Sequence, residues 1–193
     1  MNIGFDVDGV LTDLEGFQKR TGAQYFQRPP VCPDAYDVEA IFRCTHSERE
    51  AYWRKYIWRY CISEPLRADA ADVSRALRQQ GHTVTIVTAR VHTSESGFTG
   101  WLFRRMLTRW LKRNGFCYDR IVYSPEKDAA EAKRRLCADC GVDLLVDDSA
   151  ENLRSVKGTA NILCFTAAWN RDAHWLDAYR VSSFRQIGEL LLK

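Results

Sequence analysis

The chain has 193 residues, of which 46% are hydrophobic and 27% charged, and its formal net charge is +3. This composition is typical of a globular protein with one core and room for a modest insert, and no apolar run approaches the roughly 18 residues of a membrane span. A net charge this small gives no reason to expect a nucleic-acid partner.

The N-terminal residues and the cysteines indicate a cytoplasmic protein. Residues 1–6 lack the basic and apolar regions of a signal peptide, so the seven cysteines are expected to be reduced thiols. Cys137 and Cys140 form a single Cys-x-x-Cys, without the second pair that a zinc site usually needs. We therefore favour two small helical residues over a metal site.

Short apolar runs alternate with helical patterns along most of the chain, which predicts an α/β fold with a parallel sheet. The predicted strands are rich in Val, Ile and Leu, as buried parallel strands are, and cover residues 2–6, 83–87, 120–123, 143–146 and 161–165. The predicted helices cover residues 68–80, 98–114, 124–141, 150–156 and 184–192, with Pro125 in the first turn of the third.

Residues 14–65 interrupt this alternation and contain no predicted strand. Ser47 and Glu50 have the spacing of a capping box, which predicts a helix over residues 47–61. An aromatic stripe at helical spacing favours core packing, with one or two side chains open to a substrate: Tyr52, Trp53, Tyr56, Ile57 and Tyr60. We interpret residues 14–65 as a helical cap inserted into a core made of residues 1–13 and 66–193.

Two acidic pairs follow predicted strands. Asp6 and Asp8 follow the first strand, where Gly9 permits a turn, and Asp147 and Asp148 follow the fourth. Because parallel strands end at one edge of a sheet, we expect the four carboxylates to share one crevice. Crowded acids repel each other, so this arrangement implies a hard divalent cation such as Mg²⁺.

The same edge offers groups for phosphate chemistry. A carboxylate attacks phosphorus once the phosphate charge is neutralised, and a second acid can protonate the leaving oxygen. Thr88 ends the second strand, where its hydroxyl and the neighbouring Ala89 and Arg90 are candidates for binding a phosphate. A lysine should complete the charge balance, and Lys133 and Lys127 are the candidates.

These residues resemble the motifs of the haloacid dehalogenase superfamily of phosphatases, in the same order along nearly the whole chain. Within it the chain resembles 5′-nucleotidase-like proteins with a small helical cap. The matching motifs are Asp6-x-Asp8-Gly9, Thr88, a lysine near a helix start, and Asp147-Asp148. Further similar segments are Tyr52-Trp53-Arg54-Lys55-Tyr56-Ile57-Trp58, Val122-Tyr123-Ser124-Pro125-Glu126, Asp147-Asp148-Ser149-Ala150-Glu151-Asn152 and Trp169-Asn170-Arg171.

The resemblance implies a Rossmann-like sheet of about five strands in the order 3-2-1-4-5, with helices on both faces. It implies that Asp6 is the nucleophile and Asp8 the general acid and base. Mg²⁺ would be held by the Asp6 carboxylate, the Asp8 backbone carbonyl and Asp147, with Asp148 acting through water. Thr88 and the lysine would hold the transferring phosphoryl group.

The lysine is the one departure from the family pattern. The family spacing to Asp147 fits Lys133, whereas the usual position just after the Ser-Pro-Glu segment fits Lys127. We favour Lys133. Arg90 is a candidate both for a substrate contact and for an ion pair, and Asn170 and Arg171 are candidates for the substrate side of the site.

The expected function is hydrolysis of a small phosphorylated metabolite, with a nucleoside 5′-monophosphate as the first substrate to test. A sugar phosphate or another metabolite is the alternative. A phospho-accepting signalling module or a binding protein is disfavoured, because the Asp-first order and the intact acids suit phosphoester chemistry.

Overall fold

The protein, described by a computed structural model over residues 1–192, is built on one parallel sheet. Its strands are β1 (Asn2–Phe5), β2 (Thr83–Thr88), β3 (Arg120–Tyr123), β4 (Leu144–Asp147), β5 (Asn161–Phe165) and β6 (Tyr179–Val181). They lie in the order β3-β2-β1-β4-β5-β6, and every neighbouring pair is parallel. The predicted α/β class is confirmed, and the three-residue edge strand β6 is an addition to the five predicted strands.

The α-helices are α1 (Leu14–Phe26), α2 (Val38–Phe42), α3 (His46–Ser63), α4 (Ala70–Gln79), α5 (Gly97–Arg113), α6 (Ala129–Cys140), α7 (Ala150–Val156) and α8 (Phe184–Leu191). A short 3₁₀ helix covers Ala168–Asn170. No helix in the described part of the chain combines the length and apolar character that crossing a membrane requires.

Alternating strand residues feed two separate cores, one on each face of the sheet. On one face, strand residues such as Phe5 and Ile86 pack with α4, α5 and α8, whose contributions include Leu77, Trp110 and Phe184. The buried residues of the other face come from β2, β4, β5, α6, α7 and the chain near residues 173–176. The sheet is therefore covered by helices on both faces, which leaves its strand ends as the place for polar chemistry.

Helices α1, α2 and α3, which follow β1 and precede β2 along the chain, form a third apolar cluster. Its buried members come from all three helices and from α5: Leu14, Phe17, Val38, Ile41, Phe42, Tyr52, Tyr56, Tyr60, Cys61 and Phe103. We call residues 14–65 the insert. Because Phe103 belongs to α5, the insert is anchored on the sheet-covering helices.

Two predicted helix starts are wrong. The capping box joins Thr45 and Glu48, not Ser47 and Glu50: the Glu48 N–H donates to Thr45 Oγ1 at 3.3 Å, and the Thr45 N–H donates to the Glu48 carboxylate at 2.8 Å. Both pairs have the required spacing, and the left-handed Arg43 that ends α2, with φ 47°, brings Thr45 to the cap position.

Helix α6 begins at Ala129, whereas the helix was predicted to start at the Ser-Pro pair. The Ser124 N–H donates to the Thr88 carbonyl at 2.7 Å, so the chain still pairs with β2 at that point. Ser124 also directly precedes Pro125, and a residue before proline avoids helical geometry. Helix α6 therefore begins only after Asp128.

Candidate active site

The ends of the two central strands bring three acids together. The Asp6 N–H donates to the Val146 carbonyl at 3.0 Å, so Asp6 lies beside Asp147, the last residue of β4. Carboxylate oxygens of Asp6, Asp147 and Asp148 all lie within 4.8 Å of one another. The strand order reverses between β1 and β4, and such a reversal opens a crevice at the carboxyl edge of the sheet.

Lys133 reaches this group from α6. Its Nζ is 2.8 Å from Asp6 Oδ1 and 2.6 Å from Asp147 Oδ2, and only 1% of its side chain is exposed. Lys127, the other candidate, is exposed on the turn before α6. Of the two lysines, the structure thus brings Lys133 into contact with the acids.

The Asp147 carboxylate accepts several hydrogen bonds, whereas one oxygen of the Asp148 carboxylate accepts none. Asp147 accepts hydrogen bonds from Lys133, from the Ser149 N–H at 2.8 Å and from Asn152 Nδ2 at 3.2 Å. The buried Asp148 Oδ2 has no hydrogen-bond donor among residues 1–192. A buried carboxylate oxygen without a donor is costly, and this one is therefore poised for a cation.

Gly9 makes the close approach of Asp148 possible. Its φ of +88° suits glycine, and a Cβ built on it would lie 1.9 Å from Asp148 Oδ2. The turn after β1 therefore leaves the space that the Asp148 carboxylate fills.

The electrostatics of the group follow from burial and repulsion. Burial raises the pKa of Asp6 to about 7; Lys133 opposes this shift, and Asp147 and Asp8 add to it. Burial, then Asp147 and Asp6, raise the pKa of Asp148 well above its usual value. Burial alone would lower the pKa of Lys133, but attraction to Asp147 and Asp6 outweighs it and raises that pKa.

This donor set fits a hard divalent cation. The potential ligands in this group are carboxylate oxygens of three aspartates. One of them, Asp148 Oδ2, lacks a hydrogen-bond partner among the described residues. Calcium and magnesium prefer such oxygen ligands, whereas zinc sites usually include nitrogen or sulfur.

Asp8 lines the same cavity as Asp6 but is not one of the three clustered acids. Its Oδ1 accepts a hydrogen bond from the Tyr60 hydroxyl at 2.7 Å and lies 3.7 Å from Arg90 Nε. The structure therefore brings together the side chains of three of the four expected acids, whereas the Asp8 side chain is hydrogen-bonded to Tyr60 of the insert. Burial, then the Asp8 carboxylate, raise the pKa of Tyr60 well above its usual value.

The segment after β2 lies at the same edge. Thr88 is fully buried, and its Oγ1 accepts the Arg90 N–H at 3.1 Å. Ala89 and Arg90 line a cavity of about 890 Å³ whose lining also includes Asp6 and Lys133. Arg90 forms the expected ion pair with an acid, since its Nε lies 3.7 Å from Asp8 Oδ1, and it also lines the cavity.

Asn170 and Arg171 have different positions. Asn170 is buried and donates from Nδ2 to the backbone carbonyls of Asp148 and Phe165, both at 2.8 Å, so it braces the turn that carries Asp148. Arg171 is exposed, and its partner is Asp34 at 3.8 Å.

Three aromatic residues form the rim of the cavity, and only one of them, Trp169, lies in a segment that resembles the family. Tyr36, Trp169 and Trp175 line it, and the rings of Tyr36 and Trp169 meet edge to face at 5.0 Å. Tyr36 lies on the irregular segment before α2, where no periodic pattern could have identified it.

A family model described as "5' nucleotidase, deoxy (Pyrimidine), cytosolic type C protein" matches residues 1–193. The chain is also 24% identical over 200 residues to a "Putative 5'(3')-deoxyribonucleotidase" of Chlorobaculum tepidum, with 92% of this chain and 87% of that protein covered.

Solved structures share the fold. A "Putative Phosphatase" from Clostridium difficile has a TM-score of 0.68 at 14% identity, and all of both chains is covered. CbbY from Rhodobacter sphaeroides, in complex with xylulose-(1,5)bisphosphate, has a TM-score of 0.60 at 17% identity, covering 97% of this chain and 96% of that chain. At these identities the likeness concerns the fold alone.

Proposed function

Because the chain belongs to the cytosolic type C family of 5′-nucleotidases, which are phosphatases of the haloacid dehalogenase superfamily, we propose a reaction, a substrate and a mechanism for its site. The proposed reaction is Mg²⁺-dependent hydrolysis of a small phosphomonoester through an aspartyl-phosphate on Asp6. A nucleoside 5′-monophosphate is the proposed substrate, in line with the family description and the Chlorobaculum relative.

In the proposed mechanism, an oxygen of Asp6 bonds to phosphorus while the bond from phosphorus to the ester oxygen breaks. Asp8 gives its proton to the departing alcohol and then, as a carboxylate, takes a proton from the water that hydrolyses the phosphorylated Asp6. Lys133 offsets the charge on the phosphoryl oxygens, and Thr88 with the backbone after it offers hydrogen-bond donors.

Asp6, Asp147 and Asp148 would hold the cation, together with the Asp8 backbone carbonyl. When bound, Mg²⁺ neutralises phosphate charge and permits one anion to attack another. The observation that carries the whole proposal is the convergence of three buried carboxylates within 4.8 Å, with Lys133 between Asp6 and Asp147.

We also propose that the insert acts as a cap over a core of residues 1–13 and 66–193. Its support is the separate aromatic cluster of the insert and the position of Tyr36 at the cavity rim. A cytoplasmic location is part of the proposal, supported by seven free thiols and by the family description.

The test is a panel of nucleoside monophosphates, sugar phosphates and other phosphorylated metabolites, assayed for phosphate release with Mg²⁺ and with excess chelator. We expect turnover of nucleoside monophosphates that needs Mg²⁺, and a loss of at least about 10³-fold in Asp6→Asn. Preference for a sugar phosphate would replace the proposed substrate. Full activity in chelator, or in Asp6→Asn, would overturn the mechanism.

A further inference from the structure

Tyr60 connects the insert to Asp8. Its ring packs 4.8 Å from the ring of Phe17 inside the insert cluster, and the residue is only 3% exposed. Its hydroxyl lies 2.7 Å from Asp8 Oδ1 and 2.7 Å from Thr12 Oγ1. The ring of Tyr60 is thus part of the apolar cluster, while its hydroxyl contacts the carboxyl group of Asp8, the proposed acid and base.

The direction of the hydrogen bonds follows from what each group can donate. A carboxylate only accepts, so the Tyr60 hydroxyl donates to Asp8. The Tyr60 oxygen then accepts from Thr12, whose Oγ1 is closer to it, at 2.7 Å, than to the Val7 carbonyl, at 3.2 Å. The resulting chain runs from Thr12 through Tyr60 to Asp8.

Arg90 completes the setting. Its Nε lies 3.7 Å from the same Asp8 Oδ1, and its guanidinium group lies over the ring of Tyr60 at 5.0 Å and that of Trp110 at 5.8 Å. Both polar groups that hold Asp8 therefore act on Oδ1. When Asp8 carries its proton, the occupied Oδ1 leaves Oδ2 as the oxygen that bears it.

We propose that Tyr60 is the positioning residue for Asp8: its hydroxyl fixes Oδ1 so that Oδ2 delivers the proton to the leaving oxygen. The inference rests on the proposed function. In the step concerned, Asp6 bonds to phosphorus, the ester bond breaks, and the proton moves from Asp8 Oδ2 to the departing alcohol. Tyr60 keeps its own proton throughout.

The leaving group provides the test. An alkyl phosphate, such as a nucleoside 5′-monophosphate, needs a proton on its departing oxygen, whereas p-nitrophenyl phosphate releases a stable phenolate. Because kcat/KM reports steps up to the first irreversible one, we expect Tyr60→Phe to lower kcat/KM about 10-fold or more for the alkyl ester. The loss for p-nitrophenyl phosphate should be within about 3-fold, since that leaving group bypasses the acid.

Tyr52→Phe is the matched control. Tyr52 lies two turns earlier in α3, belongs to the same cluster and bonds to Thr21 Oγ1 at 2.7 Å, but its hydroxyl does not contact Asp8. Both variants should lower the melting temperature to a similar extent, and Tyr52→Phe should keep both kcat/KM values. If Tyr60→Phe does not fold, Thr12→Val removes the hydroxyl behind Tyr60 and should give the same pattern more weakly.

A double-mutant cycle with Asp8→Asn completes the experiment. If Tyr60 acts through Asp8, adding Tyr60→Phe to Asp8→Asn causes no further loss. Equal losses on the two esters, additive losses, or the same pattern in Tyr52→Phe would overturn the proposal. Wild-type hydrolysis with those results would leave the proposed function standing, whereas an inactive wild type would defeat the proposed function itself.

Discussion

The carboxyl edge of the sheet and the insert are built in opposite ways. At the edge, three buried carboxylates face a single ammonium group, and Asp148 Oδ2 lacks a donor among the described residues. In the insert, mainly neutral aromatic and aliphatic side chains pack against one another. The buried charges at the edge therefore destabilise the fold but serve reactivity, whereas the insert stabilises the fold by burying apolar surface. Substitutions of the charged groups at the edge should therefore change activity strongly, whereas substitutions of apolar residues inside the insert should change stability with little change in activity.

Among variants that compare the two regions, the largest expected effect separates the two lysines. Lys133→Ala removes the ammonium group between two buried acids, so activity should fall at least about 100-fold, and the free energy of unfolding by about 3–5 kcal/mol. Lys127→Ala, at an exposed position, should stay within about 2-fold in activity. Phosphatase assays and urea denaturation measure both. The reverse ranking would transfer the phosphate-binding role to Lys127.

The next effect tests the insert. Phe42 is fully buried and its ring stacks on Phe26 at 5.1 Å, so Phe42→Ala should lower the free energy of unfolding by about 3–5 kcal/mol. Assayed at low temperature, where the variant remains folded, kcat/KM should change by less than about 3-fold. A large loss of kcat/KM without a loss of stability would erase the division between the two regions.

A smaller effect concerns pH and metal. The pKa of Asp6 is about 7 in the folded protein against an ordinary 3.8, so the metal-free folded state binds its proton more tightly than the unfolded state. The stability of metal-free protein should therefore decline as pH rises from about 4 to about 7. Mg²⁺ at about 100 times its Kd should restore about 2.7 kcal/mol.

Because protons compete with the metal, the gain in melting temperature from Mg²⁺ should be greater near pH 8 than near pH 5. Thermal denaturation with Mg²⁺ and with chelator measures both curves. Asp6→Asn should make the metal-free curve less steep, while the raised pKa of Asp148 keeps part of the slope. A gain that is independent of pH would contradict a carboxylate site.

The smallest effect distinguishes two neighbouring hydroxyls in the insert. Thr45→Ala removes the side chain that accepts the Glu48 N–H and should cost about 1 kcal/mol of unfolding free energy. Ser47→Ala, inside the first turn of α3, should change it by less than about 0.5 kcal/mol. A larger cost for Ser47→Ala would restore the originally predicted cap.

The sequence predicted the sheet well because its strands are short apolar runs between clear breaks. It did not identify β6, whose three residues carry no pattern, or α1 as a helix of its own. The buried face of α1 includes Gln18, Thr21 and Gly22, so burial there does not follow hydrophobicity. Such a face depends on what packs against it, which local sequence does not contain.

The positions of the acids were predictable because parallel strands end at a common edge. Tyr60 was not, although it belonged to the predicted stripe. Tyr52, Tyr56 and Tyr60 share the same spacing, and only the placement of the end of α3 beside the turn after β1 decides that the last of them reaches Asp8. Tyr36 lies outside any helix or strand, so no periodicity pointed to it.

The turn after β1 limits how this protein can be altered. Any side chain at position 9 would compete with the Asp148 carboxylate for one volume, and the backbone there already requires a left-handed conformation. A mutagenesis library that randomises the first motif should hold this glycine constant, since even alanine would displace a ligand of the proposed ion. Diversity aimed at new substrates belongs instead at the aromatic rim, where Tyr36, Trp169 and Trp175 line the cavity.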